Sequence, residues 1–377
     1  MGPGAEGNGR AGSRLHRDLP THGHNAQWGA DSRYLSHVGG GGSSTACVFP
    51  LEGDVTVCAL NRGDFWARAQ DWVADVRTSE RFVWSDPIIK RLRELGIDRN
   101  RIGISSLSGN LRAMEGTISH TQWERLRSAF PNAVFEDVSV MMGELRAVKS
   151  PEEVACLERA TQITEAGLKA AFEFAHPGVQ DNEVHAALYY GMMRAGSEVP
   201  TMVIWGTGPA PARDAFVPTH RRLERGDMFA NEVEGKWMGY SAQRVQPAFL
   251  GDAPSEYLDA LEKQRRVFNV ALGLMKPGTR FGEMASSVYE AAQELGCEAN
   301  LIMHGRGRGE DRPALLWTVP DEATGNYVFQ EGNCFILKPS IRPRGGPAIN
   351  WGDTVTVTPQ GGRRLGKDEH RIVVIPC

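Results

Sequence analysis

Along the chain from Thr45, short β-rich runs alternate with runs of helical period. TACVFPL and DVTVCAL flank a Glu-Gly-Asp turn, and RIGISSL and AVFEDV are two more strand-like runs. FWARAQDWVADVR, IIKRLRELGI and QWERLRSAF carry apolar residues three and four apart, the spacing of one helix face. Such alternation predicts an α/β domain with a largely covered sheet, ending near Val138.

A different pattern begins at SPEEVACLERATQITEAGLKAAFEFA. Ser150 is placed as an N-cap, Pro151 sits at the first helical position and Glu153 completes a capping box. The helix is expected to run to about Ala175, where HPGV breaks it. DNEVHAALYYGMMRAG predicts a second helix and TMVIWG a strand. EYLDALEKQRRVFNVALGLM predicts a long helix stopped by Lys276-Pro277-Gly278, and FGEMASSVYEAAQELG another. MFANEVEGKWMGYSAQRVQPAFLG, NCFILKP and DTVTVTPQGG are β segments. This block therefore reads as α+β, an antiparallel sheet with helices on one face. The expected division is an irregular tail over 1–24, a smaller α/β domain over 25–141 and a larger domain over 142–377.

Composition narrows the function classes. The chain has 377 residues, 41% hydrophobic and 23% charged, with a formal net charge of −4, an ordinary balance for a two-domain globular protein. Weak acidity argues against a basic nucleic-acid binder. No run approaches the ~18 apolar residues that would span a bilayer, so neither nucleic acid nor membrane is expected as a partner. The glycine-rich start lacks the apolar stretch of a secretory signal and reads as a flexible tail, a cloning remnant or a shifted start codon. Six cysteines without regular spacing suit reduced thiols of a cytoplasmic protein better than a disulfide framework.

Several segments, in order, carry a resemblance: RAVKSPEEVACLERA, LERGDMFANEVEGKWMGYSAQR, LMKPGTRFGEM, MHGRGRGEDRP, FILKPSIRP and INWGDTVTVTPQGGRRL, preceded by DSRYLSHVGG. Together they resemble the pita-bread family of creatinase, prolidase, aminopeptidase P and methionine aminopeptidase. The resemblance implies a pita-bread C-terminal domain behind a creatinase-like N-terminal domain, and a homodimer. It also implies, for the peptidase members, two metal ions held by two Asp, one His and two Glu. Carried over position by position, the aspartate slots hold Glu232 and Gln243, the histidine slot holds His304, and the glutamate slots hold Lys338 and Gly352, beside Asp353. A further family histidine falls near Ala215 or Phe216, with His220 close by. Arg33 and Tyr34 match a motif that, in creatinase-like dimers, reaches the neighbouring subunit's pocket. Family members usually place a helix and a first strand ahead of that motif; residues 1–24 show neither clearly, so either a shortened domain or a wrongly recorded start is expected.

Two metal ions need several anionic oxygens around them. Of the five slots only Glu232 is anionic, and Lys338 brings a cation. The expectation is accordingly no metal and no other cofactor, with Lys338 as counter-ion to Glu232, Glu234 or Asp353. Glu232 and Glu234, two apart on a strand, share a face, and the returning strand could bring Gln243 opposite them. Creatinase, by the same resemblance, hydrolyses a C–N bond without metal. The leading reading is a metal-independent hydrolase of an amide, amidine or ureido bond in a small substrate. Glu232 or His304 would be the base, with Lys338 and Gln243 stabilising negative charge. Arg306 or Arg308 could hold a substrate carboxylate, or simply pair with Glu310 and Asp311 on their loop. Trp351, next to a former ligand slot, is a candidate pocket wall; Trp28, Trp205, Trp237 and Trp317 are read as core or interface. Alternatives are a metal-free lyase, a non-catalytic binding protein, a residual Xaa-Pro-type metallopeptidase, or one metal kept by His304, Glu232 and Asp353.

Overall fold

The computed structural model describes residues 29–39, 45–79, 82–108, 115–211, 217–315 and 320–377. The expected tail over 1–24, Trp28, Ala215, Phe216 and Trp317 lie outside them.

The first unit comprises α1 (Ala30–Ser36), β1 (Thr45–Val48), β2 (Thr56–Ala59), α2 (Gly63–Ala69), β3 (Asp75–Thr78), α3 (Ser85–Glu94), β4 (Arg101–Ile104), α4 (His120–Ala129), β5 (Val134–Asp137) and α5 (Ser139–Ala147). β1 pairs antiparallel with β2, β2 parallel with β3, and β4 parallel with β5. Leu92 and Phe130, from α3 and the end of α4, pack with Val48 and Leu126 beneath these strands. FWARAQDWVADVR is not one helix. The Gln70 side chain ends it: Oε1 accepts from the Trp72 and Val73 amides while Nε2 donates to the Trp66 and Val73 carbonyls. The chain then leaves as β3.

The second unit begins with α6 (Pro151–Phe174), α7 (Asp181–Arg194), β6 (Val203–Gly208), β7 (Met228–Trp237), β8 (Tyr240–Arg244) and β9 (Ala248–Leu250). It continues with α8 (Ser255–Leu274), α9 (Phe281–Glu294), β10 (Cys297–Asn300), β11 (Met303–Gly305), β12 (Ala314–Leu315) and α10 (Glu322–Asn326). Last come β13 (Cys334–Leu337), β14 (Ser340–Pro343), β15 (Ile349–Asn350), β16 (Asp353–Thr358), β17 (Gly361–Arg364) and β18 (Val373–Ile375). The capping box at Ser150 and Glu153 forms at the start of α6. Strand orders are β18-β9-β7-β6, with β8 on β7, and β12-β11-β13-β16-β17; β10-β14-β15 is a smaller sheet. All these pairs are antiparallel except β9–β18, which is parallel and departs from the uniform sheet the sequence suggested.

Helix pairs cover the sheets. α6 and α7 approach closely because Gly167 and Gly191 lack side chains; a Cβ on Gly191 would lie 2.6 Å from the Ala170 Cβ. Ile163, Leu188, Trp205, Phe229 and Val233 form the core between that pair and β6–β7. Phe268, Phe281, Met284, Phe335, Leu337 and Val355 form its counterpart under α8 and α9. Burying each such side chain contributes roughly 1.5–3 kcal/mol. With the odd-numbered residues of β7 turned to the helices, Glu232 and Glu234 face the other way.

Candidate active site

β7 and β8 are joined by a two-residue turn at Met238 and Gly239, both with positive φ (49° and 83°), the conformation that matches strand twist in a tight hairpin. The turn sets the register: Glu234 stands opposite Gln243 and Lys236 opposite Ser241. Residues opposite in an antiparallel pair share a face, so Glu232, Glu234, Lys236, Ser241 and Gln243 form one polar surface.

At its outer end the Gln243 amide donates to Glu232 Oε2 (3.1 Å), and the Lys338 ammonium donates to the same oxygen. Lys338 follows β13 directly and is 5% exposed; Glu232 keeps 15% of its side chain in contact with solvent. Further in, Glu234 accepts from Thr201 and pairs with Arg306 at 2.9 Å. Arg306 also pairs with Glu310 at 2.9 Å and donates from Nε to the Ser241 carbonyl (3.1 Å). His304, on β11, has Nδ1 3.9 Å from Glu310, and both are buried. The segment after β11 lies along β8 because the Ser241 amide donates to the Gly307 carbonyl.

Asp353 belongs to a separate network. It pairs with Arg364 (2.9 Å) and Arg244 (3.5 Å), and Arg244 also binds Glu165 at 2.9 Å. Burial pushes the Asp353 carboxyl above its ordinary range, against the pull of the two arginines. Trp351, expected at the pocket wall, is fully buried instead. Its ring stacks on His370 with centroids 3.7 Å apart, and the Arg244 and Arg364 guanidiniums lie 5.2 and 4.7 Å from it.

Three other candidates lie around α1, two of them where it meets the second unit. Arg33 makes a two-pronged pair with Glu198 (2.8 and 2.9 Å), and Glu198 also accepts from the Gly239 amide at 2.7 Å. The Tyr34 hydroxyl donates to the Leu145 carbonyl at 3.2 Å. Arg308 donates to the Arg33 carbonyl and to His37 Nδ1 (2.7 Å), and covers the Tyr240 ring. Asp311 pairs with Arg146 (2.7 Å), which also reaches Asp31. So Arg306 does pair with Glu310, whereas Arg308 pairs with neither loop carboxylate.

Sequence reasoning missed Thr201, Lys236, Ser241 and Glu198. The signal for Lys236 and Ser241 was the strand period, which extends the face of Glu232 and Glu234 by one more pair. Thr201 and Glu198 precede β6, and nothing local marks them.

A dinuclear metal site does not fit these residues. The positions the resemblance assigns to ligands carry an ammonium bound to Glu232, a carboxamide donating to the same oxygen, and a glycine. The described residues bring together no three His, Cys, Asp or Glu side chains able to hold an ion. The retained metal imagined on His304, Glu232 and Asp353 is not assembled either, since Asp353 is committed to arginines.

Helix pairs over largely antiparallel sheets, with carboxylates on the opposite face of β7, are the setting in which the comparisons with known proteins fall. Residues 155–359 match the model of metallopeptidase family M24, and the chain belongs to that family. The Xaa-Pro dipeptidase of Pyrococcus furiosus is 28% identical over 268 residues, 69% of this chain and 74% of that protein. The Xaa-Pro dipeptidase of Pyrococcus horikoshii is 26% identical, over 72% and 76%. Among solved structures, the X-Pro aminopeptidase of Thermotoga maritima superposes with a TM-score of 0.76 at 21% identity, covering 93% of this chain and 95% of that one. The fold is thus the pita-bread fold with its smaller preceding domain, as the motifs implied.

Proposed function

We propose that the chain is a metal-independent hydrolase of a C–N bond in a small substrate. The observation that carries this reading is the Glu232 carboxylate: solvent reaches it, and both donors, Lys338 and Gln243, grip a single oxygen, Oε2. Oε1 receives neither. A carboxylate fixed in this way is ready to take a proton from water. The water oxygen then bonds to the substrate carbonyl carbon, and the developing oxyanion draws on the remaining Lys338 hydrogens. When the C–N bond breaks, the leaving nitrogen takes the proton back from Glu232.

The test is turnover by protein freed of metal by chelation, across creatine-like, N-acyl and dipeptide substrates, with oxygen-18 water. Label in the product, unaffected by chelator, supports the proposal. Proton exchange without oxygen incorporation marks elimination instead. A second reading has its own observation: the relatives above are named Xaa-Pro dipeptidases. Cleavage of Xaa-Pro dipeptides only after addition of a divalent metal would favour it and overturn the first.

A further inference from the structure

Resting on that reading, we infer that the site accepts an uncharged planar group with an N–H beside a C=O: a ureido or N–H-bearing amide group, rather than a carboxylate, an ammonium or a fully substituted amide.

Two features lead there. The first is charge. Lys338 is matched by Glu232, Arg306 by Glu234 and Glu310, and Arg33 by Glu198. A charged ligand at Lys338 or Arg306 would have to displace one of these internal partners. The second is the set of polar atoms left over. Gln243 must turn its Nε2 to Glu232, because a carboxylate only accepts; its Oε1 is thereby fixed as an acceptor, and it is buried without a donor among the described residues. Arg306 Nη2 is likewise a buried donor without an acceptor, and Ser241 Oγ is unpartnered, among the described residues. All three residues are 0% exposed. Ser241 and Gln243 are two apart on one strand face, roughly 7 Å, and Arg306 is tied to that strand through the Ser241 carbonyl.

The Gln243 acceptor beside Glu232, with the Ser241 hydroxyl along the same strand and the Arg306 donor tied to that strand, matches the two edges of a ureido or amide group. Its N–H would go to Gln243 Oε1 and its C=O to Arg306 Nη2 or Ser241 Oγ, with Lys338 adding its hydrogens to the same oxygen as charge develops there. A carboxylate satisfies only the donor and leaves the acceptor buried and unpaired; an ammonium does the reverse. A tertiary amide has no N–H to give. Sites built on buried hydrogen-bonding groups reject ligands that leave those groups unpaired.

The experiment is equilibrium binding of N-methylurea and N-methylacetamide, against acetate, methylammonium and N,N-dimethylacetamide, followed by calorimetry or ligand-observed NMR. The first two are expected to bind saturably, with the other three at least ~10-fold weaker, the factor for one unmade hydrogen bond. Gln243→Met should erase the preference for N–H. Ser241→Ala, a smaller change, should weaken both urea and amide binding about 5-fold while leaving the melting transition in place. Preference for acetate, equal binding of all five probes, or no binding of N-methylurea by the folded protein overturns the inference. Saturable N-methylurea binding without turnover of any C–N substrate would instead overturn only the hydrolase reading.

Discussion

Lys338 and Gly352 occupy one another's space. A Cβ on Gly352 would overlap the Lys338 Cβ and sit 3.0 Å from the Leu337 carbonyl oxygen. The lysine in one former ligand position and the glycine in the other are therefore a matched pair. The absence of a side chain at 352 lets the end of β13 lie close against the start of β16.

Gly352→Ala is expected to destabilise by about 1–3 kcal/mol, the usual cost of overpacking a rigid contact. Lys338→Ala does not relieve this, because it retains the Cβ, whereas Lys338→Gly does in part. Urea denaturation of the two double variants checks the order; equal stabilities would refute the contact as the cause.

Removing the ammonium alone separates charge from packing. Lys338→Met keeps most of the stem and leaves Glu232 with Gln243 as its single donor. Because solvent reaches Glu232, the loss is expected at about 1–3 kcal/mol, below the ~3–5 kcal/mol of a sealed ion pair. Adding Glu232→Gln should recover much of it, which a double-mutant cycle reads directly. On the proposed mechanism turnover falls at least ~100-fold in either single variant. Full activity in Lys338→Met would remove the lysine from the chemistry.

Arg306 offers the contrasting case. Its two carboxylate partners, Glu234 and Glu310, are 1% and 4% exposed at the side chain. Arg306→Met leaves both buried without their cation, and a loss of about 3–5 kcal/mol or more is expected. A melting temperature unchanged from wild type would contradict the pairing.

Acid sensitivity should trace in part to His370. Gln264 donates both hydrogens of Nε2, to the Pro339 and Trp351 carbonyls, so its oxygen must accept from His370 Nε2–H at 2.6 Å. Burial, aided by Arg265, Arg364 and Arg244, lowers the His370 pKa to about 2. The unfolded chain takes up a proton near pH 6.5 that the folded chain refuses. The depressed value thus contributes stability above about pH 6.5, lost as pH falls toward the folded value at about 1.4 kcal/mol per unit. His370→Asn should show a shallower decline between pH 6.5 and 5 by about one proton. Equal slopes for variant and wild type would eliminate this source.

Much of this was legible in the residues. The Ser150 box, the period of α6 to α9 and the strand face of Glu232 and Glu234 are local signals, and each is realised. A carboxylate partner for Lys338 was legible too, but among Glu232, Glu234 and Asp353 the choice of Glu232 was not, because it follows from arginines that hold the other two. The break after α2 was not legible, because it depends on one Gln70 side chain bonding four main-chain groups. Nor were the positions of Arg308 and Trp351, whose partners lie outside the segments that carried the resemblance or far off in sequence: His370 for Trp351, Arg33 and His37 for Arg308. A motif reports which residues are near in the chain, whereas Arg308 reaches back 275 and 271 residues to Arg33 and His37, and Trp351 is covered by a segment outside its own motif.

The contacts of Arg146 and Arg308 bear on what can be exchanged between relatives. The family-matching span starts at residue 155, yet Asp311 relies on Arg146, Asn333 donates to the Ala147 carbonyl at 3.0 Å, and Arg308 ends on the backbone of α1. A chimera joined at residue 155 would inherit a loop whose cations and anions were fitted to another neighbour. The workable graft carries α1 and α5 along with the sheet domain, so the natural seam for recombination lies inside the smaller unit rather than between the two.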